Sequence, residues 1–198
     1  VEEEEAGALL AEVEGGAGGV ALRLARRKVL HFGYEFQYST RNVDISAPIA
    51  PFPPRAAEVG ARIAAVAPGV AGELDQLTVN DYPLGVGISP HVDTHSAFSG
   101  AICILSLGGG CVMEFRRGAE QRCLLLPPRS LLVMEGEARL AWQHYIPHRK
   151  NDLVGGALRP RERRVSFTFR KVRGRPCACD FPQECDSQAE AAAAGTEG

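Results

Sequence analysis

Between Leu77 and Val172 the chain is a series of short apolar or alternating runs, and their spacing narrows the possible folds more than any other feature. The runs are Leu77 to Tyr82, Ala101 to Leu107, Cys111 to Phe115, Arg122 to Leu126, Ser130 to Glu135, Trp142 to Ile146 and Val165 to Val172. Gly108-Gly109-Gly110, Arg116-Arg117-Gly118, Pro127-Pro128 and Gly136 stand between them, and such residues make turns. Many short strands with glycine and proline turns argue for a sandwich or barrel-like arrangement, so the fold class is mainly β (α+β). The Gly108 to Gly110 run is not a phosphate loop, because no Gly-Lys-Ser/Thr follows it.

Upstream, residues 1–19 combine Glu2-Glu3-Glu4-Glu5 with Gly15-Gly16-Ala17-Gly18-Gly19, which reads as a flexible segment that does not pack. Phe32, Tyr34 and Phe36 are spaced by two and suggest one strand with an aromatic face, preceded by Arg23, Arg26, Arg27 and Lys28. Pro48, Pro51, Pro53 and Pro54 mark an extended loop. Ala56, Val59, Ile63 and Val66 then recur at helical spacing, predicting an amphipathic helix over Arg55 to Val66 that covers a sheet face. One domain is expected over residues 20–188, followed by a low-complexity tail over 189–198.

One extended stretch, His91-Val92-Asp93-Thr94-His95, carries the chemistry. Side chains alternate along a strand, so His91 and Asp93 point to the same side. Imidazole and carboxylate donors without thiolate suit Fe(II), and a set of two histidines and one carboxylate needs a further histidine. His144, 53 residues beyond His91, is the best candidate. A lone His-x-Asp is a weak signal, and strict alternation would also offer His91, Asp93 and His95 as a contiguous set. Downstream, Arg164, Ser166, Thr168 and Arg170 share one strand face, with Val165, Phe167 and Phe169 on the other. Two arginines on one face can clamp a dicarboxylate, or they can line a solvated edge. Cys177, Cys179 and Cys185 form a tight thiolate group, and three cysteines with one histidine make a closed tetrahedral zinc set.

The ordered set Asn80-x-Tyr82, His91-x-Asp93, His144 and Arg164-x-Ser166-x-x-x-Arg170 resembles the AlkB family of Fe(II)/2-oxoglutarate dioxygenases. Further phrases are similar to that family's tRNA wobble-uridine hydroxylase branch: His31-Phe32-Gly33-Tyr34-Glu35-Phe36, His95-Ser96-Ala97-Phe98 and Cys185-Asp186-Ser187-Gln188. The resemblance implies a double-stranded β-helix, or jelly roll, with helices packed on one outer face. It implies Fe(II) held by His91, Asp93 and His144, with 2-oxoglutarate and O2 as cosubstrates. Arg164, helped by Tyr82 and Ser166, would hold the distal carboxylate of 2-oxoglutarate, and Arg170 and Asn80 the carboxylate beside the metal. His95 would join Cys177, Cys179 and Cys185 around a structural zinc.

The implied activity is hydroxylation of 5-methoxycarbonylmethyluridine at the tRNA wobble position, with the anticodon region as partner. Oxidative demethylation of alkylated nucleic acid shares the same motif. A catalytically idle, zinc-stabilised tRNA-binding module serving a methyltransferase is a third reading. The family often joins this domain to RNA-recognition and methyltransferase domains, neither of which lies in these residues. Where the family usually has glycine after the distal histidine, Tyr145 stands here, which is expected to narrow the pocket floor.

The formal net charge of −2 gives no general pull towards nucleic acid, so contacts must come from local patches. Arg159, Arg161, Arg163, Arg164, Arg170, Lys171, Arg173 and Arg175 supply such a density, and those not serving the cosubstrate could neutralise phosphates. Lys150 to Arg161, with Gly155-Gly156, reads as a mobile loop near the metal. No apolar run approaches the ~20 residues of a membrane span and no secretory signal opens the sequence, so the expected location is cytoplasmic, with the nucleus as a second compartment. Cys103, Cys111 and Cys123 sit in strand-like runs and are expected to be reduced.

Overall fold

The computed structural model describes residues 1–188 apart from 17, 25, 68 and 71, so the expected tail over 189–198 lies outside the described residues. In chain order the elements are α1 (Glu3–Glu14), β1 (Val20–Leu24), β2 (Arg27–Phe32), β3 (Tyr34–Gln37), β4 (Asn42–Pro48), α2 (Pro54–Val66), β5 (Gln76–Tyr82), β6 (Ile88–His91) and β7 (Phe98–Gly108). They continue with β8 (Cys111–Arg117), β9 (Glu120–Leu126), β10 (Ser130–Met134), α3 (Gly136–Leu140), β11 (Gln143–Ile146), β12 (Asn151–Val154), β13 (Ala157–Pro160) and β14 (Arg164–Val172).

Two antiparallel sheets face one another in a jelly roll. The larger runs β1-β2-β5-β14-β7-β10 and the smaller β6-β11-β8-β9. Alternation along β5, β7 and β14 gives the larger sheet two different faces. Leu77, Val79, Leu105, Leu107, Val165, Phe167 and Phe169 point outward and are covered by Val59 and Ile63 of α2. Between the sheets, Ile102, Ile104, Met113, Met134, Ile146 and Val172 form a second core. The helix expected over Arg55 to Val66 is present, with Pro54 in its first turn, where a missing N–H costs nothing. Its apolar stripe ends at Ile63, because Val66 is 76% exposed.

Four expectations are corrected. Within residues 1–19, Glu3–Glu14 is not loose, since α1 buries Ala6, Leu9 and Val13 in the core beside α2. The glutamates that suggested solvation occupy the first helical turn, where the macrodipole favours anions. Leu9, fully enclosed, contributes roughly 2 kcal/mol on burial. The aromatic run is not one strand, because Gly33 adopts φ 75° between β2 and β3, and a Cβ there would run into the Asp75 carbonyl. Phe32 therefore joins the helix-side core while Tyr34 and Phe36 pack on the inter-sheet core. Lys150 to Arg161 is a β12–β13 hairpin rather than a loop, turned by Gly155 and Gly156, both at positive φ. Its anchor is buried Asp152, which accepts from Arg161 at 2.7 Å and from the Val112 backbone N–H at 2.9 Å. The proline loop is also shorter than expected, as β4 extends to Pro48, pairing with β3 alone in a two-stranded sheet where an edge proline is tolerated.

Candidate metal centre

The smaller sheet brings the two distant histidines together. In the β6–β11 pairing His144 lies opposite His91, with ring centroids 4.3 Å apart. Along β11 His144 and Ile146 face inward and are buried. His91 Nδ1 is 2.8 Å from the Ser89 carbonyl, which can only accept, so Nδ1 carries the proton and Nε2 keeps its lone pair for a metal. Asp93 follows just beyond the end of β6. Its Oδ1 accepts from Arg170 Nη2 at 3.1 Å, whereas Oδ2 is buried without a partner among the described residues. A carboxylate oxygen taken out of water and left unpaired is costly, and a cation between it and the two imidazoles would remove that cost. The donor set of two nitrogens and one oxygen fits Fe(II) in a facial arrangement.

The protonation states fit as well. Burial, reinforced by His91, pushes His144 down to about 3, and burial also lowers His91. For Asp93 burial pushes the carboxyl up, but Arg170 and the two imidazoles outweigh it and hold the group well below the usual carboxylate range. At neutral pH all three are in the form that binds metal.

The larger sheet supplies the opposite wall. Register pairs Arg164 with Tyr82, Ser166 with Asn80, Thr168 with Thr78 and Arg170 with Gln76, all on the inner face. Arg164 is only 4% exposed, so this is not a solvated edge. Its guanidinium lies 5.4 Å from the Tyr82 ring centroid and donates to Ser106 Oγ at 2.8 Å. Arg170 donates from Nη1 to Gln76 Oε1 at 3.1 Å and Thr78 Oγ1 at 3.0 Å, and its guanidinium carbon lies 4.8 Å from the Phe98 ring centroid. The Nε atoms of both arginines are buried without partners among the described residues. Asn80 Oδ1 accepts from Arg27 Nε at 3.1 Å. Buried guanidinium donors with unfilled positions, beside a metal-binding set, suit a dicarboxylate.

Between the walls lies a cavity of about 920 Å³, within the usual range for small-molecule sites. His91, Asp93, Asn80 and Arg170 line its buried end, and Tyr38, Arg41 and Arg116 its exposed end. Among the described residues none of Arg27, Arg41 and Arg116 pairs with a carboxylate, although each lines this space.

A second cluster sits behind the first. Ligand atoms of His95, Cys177, Cys179 and Cys185 all lie within 4.8 Å of one another. In a tetrahedron with metal–sulfur bonds of about 2.3 Å, neighbouring ligands are about 3.8 Å apart, so the four residues fit a closed zinc site. His95 leaves the alternation of His91 and Asp93 because the chain turns over His95 to Ala97. That turn is held by Asp186 Oδ1, which accepts from the backbone N–H of His95 at 2.9 Å and of Ser96 at 3.1 Å. The contiguous set His91, Asp93 and His95 is therefore not the one that assembles.

The sequence model for the 2OG-Fe(II) oxygenase superfamily matches residues 22–170. The chain belongs to this superfamily. Within it the oxygenase is related to the AlkB family. It is 50% identical over 189 residues to the Alkylated DNA repair protein ALKBH8 homolog of Arabidopsis thaliana, covering 83% of this chain and 55% of that protein. It is 43% identical over 182 residues to the tRNA (carboxymethyluridine(34)-5-O)-methyltransferase alkbh8 of Xenopus tropicalis, covering 83% of this chain and 29% of that protein. The chain thus spans about half of the first relative and under a third of the second. The solved structure of OsALKBH1 shares the fold, with TM-score 0.59 at 14% identity over 86% of this chain and 92% of that one. Among the described residues no helix of the oxygenase is long and apolar enough to cross a membrane.

Two further expectations change. Tyr145 does not narrow the floor: it points out of the smaller sheet and donates from its hydroxyl to Glu114 at 2.7 Å. Two of the arginines expected to meet phosphates are engaged elsewhere, Arg161 buried against Asp152 and Arg163 bound to Asp81 and Glu14. The cavity is lined instead by Arg41 and Arg116, which carry no motif, one at positive φ in a turn and the other near the end of β8. Arg139 was also illegible, lying in the five-residue α3; it is buried and donates to the Asp93 carbonyl at 2.7 Å and the Thr94 carbonyl at 3.2 Å, fixing the loop between the two clusters.

Proposed function

We propose that this oxygenase hydroxylates the 5-methoxycarbonylmethyl side chain of a wobble uridine in tRNA, with Fe(II) on His91, Asp93 and His144 and structural zinc on His95, Cys177, Cys179 and Cys185. Bound Fe(II) with 2-oxoglutarate and O2 supplies oxidation of a C–H bond to C–OH, the cosubstrate leaving as succinate and carbon dioxide. Arg164, with Tyr82 and Ser166, holds the distal carboxylate of 2-oxoglutarate, and Asn80 and Arg170 orient its other end. Arg41 and Arg116 neutralise phosphates on either side of a nucleotide entering the cavity, and Tyr38 offers a ring for its base.

The observation that carries this reading is the cavity lined by His91 and Asp93, with His144 packed against His91, and by the exposed Arg41 and Arg116, which pair with no carboxylate among the described residues. The side chain is suggested by the Xenopus relative, named for methylating carboxymethyluridine 34, since that transfer would produce the ester proposed as substrate here. The carbon oxidised in that ester is bonded to carbon on both sides, so the new hydroxyl stays. On a carbon attached to ring nitrogen the same oxidation would release formaldehyde, and the Arabidopsis relative's name keeps that demethylation as a second reading.

Mass spectrometry of nucleosides from tRNA incubated with the protein, Fe(II), 2-oxoglutarate and ascorbate tests the proposal. A gain of one oxygen on the esterified uridine is the expected result. Formaldehyde from N-methylated oligonucleotides with that uridine unchanged would favour demethylation. No turnover of 2-oxoglutarate with any nucleic acid would leave the idle binding module.

A further inference from the structure

Beyond the ligands and the cosubstrate wall, the structure buries one imidazole that neither employs. His31 on β2 is 0% exposed, and register places it opposite Thr78 of β5. The hydrogen-bond directions around it can be worked out. Arginine only donates, so the Gln76 atom 3.1 Å from Arg170 Nη1 is the amide oxygen, and its nitrogen faces Thr78 Oγ1 at 2.8 Å and the Tyr34 carbonyl at 3.4 Å. Thr78 Oγ1 therefore accepts from Gln76 and also from Arg170 Nη1 at 3.0 Å. With both lone pairs taken, its proton goes to His31 Nδ1, 3.1 Å away. Gln76 Nε2 points at the same nitrogen from 3.4 Å. Nδ1 is thus bare, and the imidazole is neutral with its proton on Nε2, an atom buried without a partner among the described residues. Burial, followed by the charge of Arg170, holds the imidazole at about 4, in the same state. An apolar side chain would fill this space without leaving an N–H unpaired, so the acceptor at Nδ1 is what the site gains from histidine.

We infer that His31 is a positioning residue for the metal centre, acting through Thr78 and Arg170 on Asp93. By accepting the Thr78 proton it turns that hydroxyl's lone pairs toward Arg170 Nη1. The planar guanidinium, packed near Phe98 and fixed at Nη1 by two acceptors, keeps Nη2 on Asp93 Oδ1. Asp93 Oδ2 then stays available beside His91 and His144. The inference rests on reading those three residues as the metal ligands.

Cobalt(II) titration of the zinc-loaded protein, followed by visible absorption, tests it without turnover. His31→Leu fills the space with no acceptor, His31→Asn places an amide oxygen near the Nδ1 position, and Thr78→Val removes the intermediary. His31→Leu is expected to weaken cobalt binding about tenfold, and His31→Asn to return within about threefold of wild type. Thr78→Val should match His31→Leu, and the double variant should be no weaker than either, since both break one path. Wild-type affinity in His31→Leu, an Asn variant as weak as the Leu variant, or losses that multiply in the double variant would each overturn the inference. If His31→Leu does not fold, wild-type affinity in Thr78→Val overturns it alone. Should His91→Ala bind cobalt as wild type does, the metal reading fails and this inference with it; loss in His91→Ala with none in His31→Leu overturns only the role of His31.

Discussion

Arg170 Nη2 lies 3.1 Å from Asp93 Oδ1 while the second oxygen of the same carboxylate is buried with no partner among the described residues. The arginine thus occupies one oxygen and leaves the other for a metal, which makes Arg170 an orienting group as well as the proposed cosubstrate contact. Arg170→Gln keeps a hydrogen-bond donor but loses the charge and the fork. It should weaken metal binding by about 10- to 100-fold, measured by cobalt titration. Unchanged affinity would mean that Asp93 orients itself.

The buried pair Asp152–Arg161 anchors the β12–β13 hairpin, with both side chains 4% exposed. Arg161→Met leaves Asp152 with the partly exposed Arg149 at 2.7 Å and the Val112 N–H at 2.9 Å, so the loss of its charge-assisted hydrogen bonds to Arg161 should cost about 1.5–3 kcal/mol in urea unfolding. The same change at Arg159, on the exposed face of the hairpin, should cost under about 0.5 kcal/mol. Equal effects would show that the hairpin does not depend on the pair.

His31 also sets a pH dependence. Its folded value of about 4 lies below the roughly 6.5 of an unfolded histidine, so the unfolded chain binds more protons between these limits and stability falls as pH falls through them. Asparagine does not titrate, so the stability difference between wild type and His31→Asn isolates this group. The difference should be flat above about pH 6.5 and shrink below it by up to about 1.4 kcal/mol per pH unit. A difference independent of pH would contradict a buried neutral imidazole.

The cysteine cluster should behave as a structural metal site. Cys185→Ser is expected to lose zinc measured by plasma mass spectrometry and to lower the melting midpoint by at least about 5 °C. Zinc content and midpoint equal to wild type would remove the site.

If Arg41 and Arg116 meet phosphates, each Arg→Ala change should weaken binding of an anticodon stem-loop and reduce the slope of log K against log salt by about 0.7. Fluorescence anisotropy at several salt concentrations measures this. An unchanged slope would place the RNA elsewhere.

What could be read from the sequence followed periodicity. Alternation in Arg164 to Arg170 correctly separated the polar inner face from the Phe167 and Phe169 face, because both faces of a central strand are buried and neither can slip. The helix over Arg55 to Val66 was legible for the same reason. The pairing of His91 with His144 rested on the family resemblance rather than on periodicity, since it depends on the β6–β11 register; alternation alone left His95 as a rival, which the turn at His95 to Ala97 removes. The first helix was hidden because its glutamates read as solvated charge, and the strand break at Gly33 because a positive φ leaves no trace in an alternating pattern. Arg139 and Arg116 carry no motif, and their places are set only by packing.

The most direct test is an anaerobic Fe(II) titration of the zinc-loaded protein with 2-oxoglutarate present, counting bound iron in wild type and in His91→Ala, Asp93→Ala and His144→Ala. The account predicts one iron per chain in wild type and none in the three variants, each still holding its zinc. Iron retained at full stoichiometry in all three would contradict it.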